Sequence, residues 1–401
     1  MRCWPSGPPS PADRIRVVTT ADFTITDDQL RRAGSVKWNY ADVDVLPAWV
    51  AEMDVRPCPE IAEALHAAVE RGVYGYPPMD DRTGLPEATA EFLAGRFGWQ
   101  VDPASVLSTG DVMAGVTLTL NHLCEPAPVV VPVPSYPPFL SVVPVTGRRL
   151  VPVPCRADDG GRPALDLDRI DAALRAGART VLLATPHNPL GRTFDAAELA
   201  GLRDVVLRHG ARVISDEIHA PLMLAGAEHV PYASVEGTAD HVTTITAASK
   251  AWNIPGLKCA QIVAGNAADL AVLRAVPLVA NHGVSPLGVI ATVAAYRDGL
   301  EWLDSLRAHL DAMRTLFGAL LAERLPMVGW VPMEATYLAW LDARGTGLPD
   351  PSAVALAKGR VLVNQGVTFG EGYDGFVRVN LATSAERLTR VVDALALAWS
   401  S

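Results

Sequence analysis

A chain of 401 residues with 49% hydrophobic and 19% charged content can bury a large core and amounts to two or three domains' worth of polypeptide. No run of about 18 apolar residues occurs that would span a membrane, the first twenty residues carry no apolar segment of the secretory kind, and a net charge of −10 argues against a broad nucleic-acid surface. Cys3, Cys58, Cys124, Cys155 and Cys259 are scattered with no C-x-x-C pair, which suits reduced cytosolic thiols and disfavours a metal site.

Residues 1–33 read as an N-terminal extension, in part mobile. Glu60 to Arg71 has helical apolar spacing (Ile61, Leu65, Ala68, Val69) and stops at Gly72. Val112 to Leu123 is a second apolar helix behind Thr109-Gly110. From there strand-like and helix-like stretches alternate. Pro128 to Val133 and Arg149 to Val153 are β-rich, and Leu165 to Ala176 is helical. Arg179 to Ala184 is an apolar strand, and Asp195-Ala196-Ala197-Glu198 opens a helix reaching His209 with a capping box. Ala211 to Ser215, Val242 to Ile245 and Ala260 to Val263 are further strands, and Leu287 to Glu323 is helical. Thr336 to Leu341 and Phe376 to Leu381 are strands before a last helix, Ser384 to Trp399. The pattern predicts an α/β fold with a largely parallel sheet covered on both faces. Ligands of such sheets lie beyond the carboxyl ends of the strands.

Motifs at those ends therefore carry the chemistry. Thr109-Gly110-Asp111-Val112 opens a helix whose backbone N–H groups can hold a phosphate, with Ser249 and Lys258 adding a hydroxyl and a cation. A plain helix cap explains the same residues taken alone. Tyr136, in Pro134-Ser135-Tyr136-Pro137, can lie flat on an aromatic ring. Asn188, between Pro186 and Pro189, can aim its amide at a phenolate-like oxygen, although Asn-Pro is also an ordinary turn. Asp216, in Ser215-Asp216-Glu217-Ile218-His219, can pair with a protonated ring nitrogen or cap a loop. Ser249-Lys250 follows a strand, and a lysine so held can form a Schiff base with a carbonyl cofactor.

In this order the segments resemble the fold-type I pyridoxal-phosphate (PLP) enzymes of the class I/II aminotransferase superfamily. More narrowly, the chain resembles the MalY/PatB-type cystathionine β-lyase (C–S lyase) branch. That narrower resemblance rests on Val36-Lys37-Trp38-Asn39-Tyr40, Leu46 to Asp54, Gly72-Val73-Tyr74-Gly75-Tyr76, Ser215 to His219, Ser249 to Gly256, Thr336 to Leu341 and Phe376 to Asn380.

The resemblance implies a large PLP-binding domain, residues 61–299, with a seven-stranded type of mostly parallel sheet. It implies a smaller α/β domain from residues 34–60 and 300–401. Lys250 would carry PLP and act as acid and base at Cα; Asp216 would keep the ring nitrogen protonated. Asn188 and His219 would contact the ring oxygen, and Tyr136 would stack on the ring. Gly110, Asp111, Val112, Ser249 and Lys258 would hold the phosphate. Tyr76 would reach in from a partner subunit of a homodimer, and Arg378, with Tyr337, would bind the substrate, Arg378 clamping its α-carboxylate.

The implied reaction is β-elimination from L-cystathionine or another cysteine S-conjugate, giving a thiol, pyruvate and ammonia in the cytoplasm. The same residues also suit an aminotransferase, a specialised enzyme acting on a cysteine conjugate by elimination, decarboxylation or oxidation, or a PLP-binding regulator. Two departures stand out: Asp111 replaces a neutral residue common in the phosphate loop, and Asn281 to Ser285 matches no part of the pattern.

Overall fold

Residues 20–158 and 160–400 are described by the computed structural model; Cys3 and most of the expected N-terminal extension lie outside them. The larger sheet has seven strands: β1 (Val106–Thr109), β2 (Val129–Val133), β3 (Leu150–Pro154), β4 (Thr180–Ala184), β5 (Arg212–Asp216), β6 (Val242–Thr246) and β7 (Ala260–Ala264). Their spatial order is β1-β7-β6-β5-β4-β2-β3. Every residue of β2, β4, β6 and β7 is buried, as strands covered on both faces require. One face packs on Val116, Leu120 and Phe139. The other packs on Ile170, Leu199, Leu202 and Val206.

Only β7 is reversed, running antiparallel to both β6 and β1. The chain between β6 and β7 contains a single short 3-10 turn, Pro255–Leu257, in place of the crossover helix a parallel return needs. That reversal brings the start of β7 to the same edge as the carboxyl ends of its neighbours: Ala260 lies opposite Thr109 and Gln261 opposite Thr246.

The second sheet is antiparallel, with β8 (Gly329–Trp330), β9 (Leu338–Asp342), β10 (Asn364–Gln365) and β11 (Phe376–Asn380) in the order β8-β9-β11-β10. Its core side meets the long helix Leu300–Arg324 and the terminal helix Ala385–Trp399, capped by Ser384. Leu46–Pro47 pairs in parallel with Val361–Leu362, which ties the early chain to this sheet.

The helical stretch expected from Leu287 to Glu323 is two helices, Pro286–Arg297 and Leu300–Arg324. The break falls at Gly299, whose carbonyl accepts the Trp252 indole N–H at 3.1 Å. A Cβ there would meet the Trp252 nitrogen at 2.7 Å. The capping box at Asp195 and Glu198 forms as its spacing predicts.

Candidate active site

Strand polarity gathers the expected residues along one edge of the large sheet. Gly110 and Asp111 follow β1, Tyr136 follows β2, Asn188 follows β4, Asp216 ends β5, and Ser249-Lys250 follow β6. Lys258 precedes the reversed β7 and so joins them. Arg378 enters from β11 of the smaller sheet, where its Nη1 donates to Asn188 Oδ1 at 3.1 Å.

Lys250 Nζ donates to the Ala51 carbonyl at 3.1 Å, and the buried Tyr337 hydroxyl donates to the same oxygen at 3.0 Å. Burial, then the charge of Arg378, bring the Lys250 amine down to about 8 against the opposing pull of Glu52 and Asp216. Asp216 is 6% exposed and accepts the Ile218 N–H at 3.0 Å. Burial, with Glu217 adding, lifts its carboxyl to about 7 although Lys250 opposes. His219 is buried with its ring edge-on to Tyr337, and its Nδ1 has no protein partner. Burial and the nearby Lys250 and Arg378 charges lower it to about 3, so it is a neutral imidazole.

At the end of β1, Asp111 is the N-cap of the helix Val112–Leu123. Its Oδ1 accepts the Ala114 N–H at 2.8 Å and its Oδ2 pairs with Lys258 Nζ at 2.8 Å. Both oxygens are engaged, so this carboxylate is not an open anion facing the loop. Burial pushes its pKa up, but Lys258 and the helix N–H groups outweigh that and hold it low. The unmatched stretch Asn281 to Ser285 packs here. Asn281 Nδ2 donates to Ser108 O at 2.9 Å, the Ser285 N–H donates to Lys258 O at 3.0 Å, and Ser285 caps the helix that follows.

Tyr136 is partly buried, edge-on to Phe139. Tyr76 does not join the site within its own chain: it is 100% exposed.

The segment Trp49–Asp54 threads between the sheets, and side chains hold its carbonyls in turn. Arg378 donates to Trp49 O; Asn380 donates to Val50 O and Glu52 O; Lys250 and Tyr337 share Ala51 O. Lys37 also donates to Glu52 O, while Asn253 pairs with both the N–H and the carbonyl of Met53. Asn253 adopts φ 56°, a left-handed conformation that asparagine tolerates better than most residues. Lys37 and Asp54 form a buried ion pair at 2.9 Å, joined by the Trp38 indole N–H. Lys37, Trp38 and Asn253 lie inside the sequence motifs, yet their part is to fix this segment. Glu217, likewise, accepts from Ser215 Oγ and the Tyr232 N–H and bonds His229.

The family model for aminotransferase class I and II matches residues 50–395. The chain belongs to this family. It is 40% identical to the cystathionine beta-lyase of Corynebacterium glutamicum, over 90% of this chain and 95% of the relative. It is 35% identical to the cystathionine beta-lyase PatB of Bacillus subtilis, over 90% of this chain and 96% of that one. Such relatives set it in the C–S lyase branch of the family. The crystal structure of cystalysin from Treponema denticola, which contains a pyridoxal 5′-phosphate cofactor, superposes with a TM-score of 0.87 at 26% identity, covering 94% of this chain and 98% of that one.

The donor set of this family member fits that cofactor. A buried carboxylate with one protein hydrogen bond stands beside an amine near neutrality. The unpartnered buried His219 Nδ1 and Arg378 Nε leave polar atoms for a ligand to satisfy. At the loop, a Cβ on Gly110 would lie 3.0 Å from Gly283 O, so only glycine lets the two backbones close around the helix start.

Proposed function

We propose that this chain is a PLP-dependent C–S β-lyase that cleaves L-cystathionine or a related cysteine S-conjugate to a thiol, pyruvate and ammonia. The observation that carries the reading is Arg378. It is 4% exposed, its side-chain partners are neutral oxygens, and burial lowers it only to about 10, so it stays charged. A buried cation held by neutral groups costs several kcal/mol and calls for an anion. An amino acid's α-carboxylate supplies one beside the Lys250 amine.

In this reading Lys250 would hold the cofactor through its aldehyde, Asp216 would keep the pyridine nitrogen protonated, Asn188 and His219 would serve its ring oxygen, and Tyr136 would pack against its ring. Gly110, Asp111 and Val112 through their backbone, with Ser249 and Lys258, hold the phosphate at the helix N-terminus. Asp111 serves there by capping the helix and fixing Lys258. Bound PLP supplies an electron sink for negative charge at the substrate α-carbon. Arg378 and Tyr337 orient the substrate, and Lys250 takes the α-proton, assistance worth about 10²–10⁴-fold. Departure of the β-thiolate then competes with return of that proton.

The reading also includes a homodimer in which Tyr76 completes the site of the partner. Fully exposed Tyr76, with Tyr74, Met79, Leu278 and Val279 also exposed, supports that arrangement. It includes a large domain of residues 61–299 and a small one from 34–60 and 300–401, and a cytoplasmic setting that suits the free thiols of Cys58, Cys124, Cys155 and Cys259.

Incubation of the holoenzyme with L-cystathionine and no keto acid tests the reaction. Thiol and pyruvate in equal amounts are expected. Turnover that requires an added keto acid would replace this reading with that of an aminotransferase.

A further inference from the structure

Arg378 is already engaged by acceptors of the protein itself. A guanidinium grips a carboxylate in two prongs along an edge, either Nε with Nη2 or Nη1 with Nη2. Both edges use Nη2. Here Nη2 donates to Trp49 O at 2.9 Å and to Asn364 Oδ1 at 2.6 Å, which occupies both of its hydrogens. Nη1 donates to Asn188 Oδ1, while Nε is buried with no partner.

The two Nη2 acceptors differ in freedom. Trp49 O belongs to backbone pinned on either side, since the Ala48 N–H donates to Leu362 O and Asn380 donates to Val50 O. Asn364 Oδ1 is the tip of a short side chain on β10, only partly buried. Its position is not accidental: Asn364 stands directly opposite Arg378 in the strand register, and cross-strand partners share a face.

We propose that Asn364 is an affinity-setting gate for the substrate α-carboxylate: its amide oxygen holds Nη2, and the carboxylate must displace it to complete a two-pronged grip. A carboxylate wins that exchange because it makes a charge-assisted bond where the amide oxygen makes a neutral one. The waiting Nε–H provides a further donor. Affinity for the carboxylate is then a difference between two contacts rather than the strength of one. This inference rests on the lyase reading, in which Arg378 receives the carboxylate.

The probe is 3-(methylthio)propanoate, a thioether acid without an α-amine, titrated calorimetrically into the holoenzyme. Asn364→Ala removes the competitor, and the probe is expected to bind about 10-fold more tightly. The matching amide, 3-(methylthio)propanamide, is expected to gain nothing. Asn364→Asp keeps the size of the side chain and places a fixed anion on Nη2, so the probe is expected to bind about 10-fold more weakly or worse. Equal or weaker binding of the acid by Asn364→Ala, or an equal gain for acid and amide, overturns the gate. Arg378→Lys separates the two levels. If it leaves probe affinity unchanged, the assignment of Arg378 to the carboxylate fails. If it weakens binding while Asn364→Ala does not tighten it, the gate alone fails.

Discussion

Asp216 and Lys250 each carry a protonation cost in the fold that a ligand would relieve. Burial lifts the Asp216 carboxyl to about 7. Between roughly pH 4 and 7 the folded chain therefore keeps a proton that the unfolded chain has shed. The associated stability is present below the ordinary carboxylate range and is lost as pH rises through about 7. Asp216→Asn removes that loss. At about pH 8 the cofactor-free variant should be more stable than the parent by roughly 1–3 kcal/mol, with no gain near pH 4. Its affinity for PLP should fall by about 10-fold or more, since an amide cannot hold the ring proton. Thermal unfolding of the stripped proteins at both pH values checks the first point; equal melting at the higher pH would refute the burial cost. Lys250, facing Arg378, Glu52 and Asp216, is held to about 8. Capture of PLP by the stripped protein should accelerate with pH up to that value and then flatten. A rate still climbing at about pH 10, the range of an ordinary lysine, would contradict it. Lys250→Ala should abolish both capture and turnover.

The loop after β1 and the stretch around Gly283 act together as one small unit. A Cβ on Gly110 would meet Gly283 O at 3.0 Å and its carbonyl carbon at 3.1 Å, and both obstacles are backbone. Gly110→Ala should therefore push the loop away from the helix start and cut PLP affinity by about 10-fold or more, while the fold survives. Equilibrium dialysis measures this, and unaltered affinity would argue that the loop adapts. The Gly110–Gly283 approach could not be read from sequence, because contact between distant backbones leaves no pattern. Lys250, Asp216 and Asn188 were legible for the opposite reason: each follows an apolar strand, and strand polarity sends each to the same edge. Asp111 looked out of place only because its two partners, the Ala114 N–H and Lys258, were unseen. Of the elements that escaped the reading, two show why. Val106–Thr109 is four residues with mixed polarity. Leu85–Phe97 buries Leu85, Pro86, Ala88, Thr89, Ala90, Phe92 and Leu93, which form no single apolar stripe. Asn364 was missed because only the register of β10 against β11 sets it beside Arg378.

Across the whole molecule, the site combines a large-sheet edge, a smaller sheet and, in the proposed dimer, Tyr76 of the partner. Mixing two inactive variants tests that last arrangement. Lys250→Ala lacks the lysine but keeps Tyr76; Tyr76→Ala has the reverse defect. If Tyr76 serves the opposite subunit, co-refolded mixtures should recover activity that neither variant shows alone. A mixture as inactive as its parents would mean that each chain uses its own Tyr76. The two sheets are also joined by the Trp49–Asp54 segment, whose carbonyls from Trp49 to Met53 are each met by a donor fixed elsewhere in the fold. Because those donors grip peptide groups, the identity of a side chain such as Val50 is a minor matter, whereas spacing is not. Inserting or deleting one residue here would shift every carbonyl past its donor at once, stranding Lys250, Arg378 and Asn380 together. Evolutionary drift in this stretch should therefore proceed by substitution at constant length.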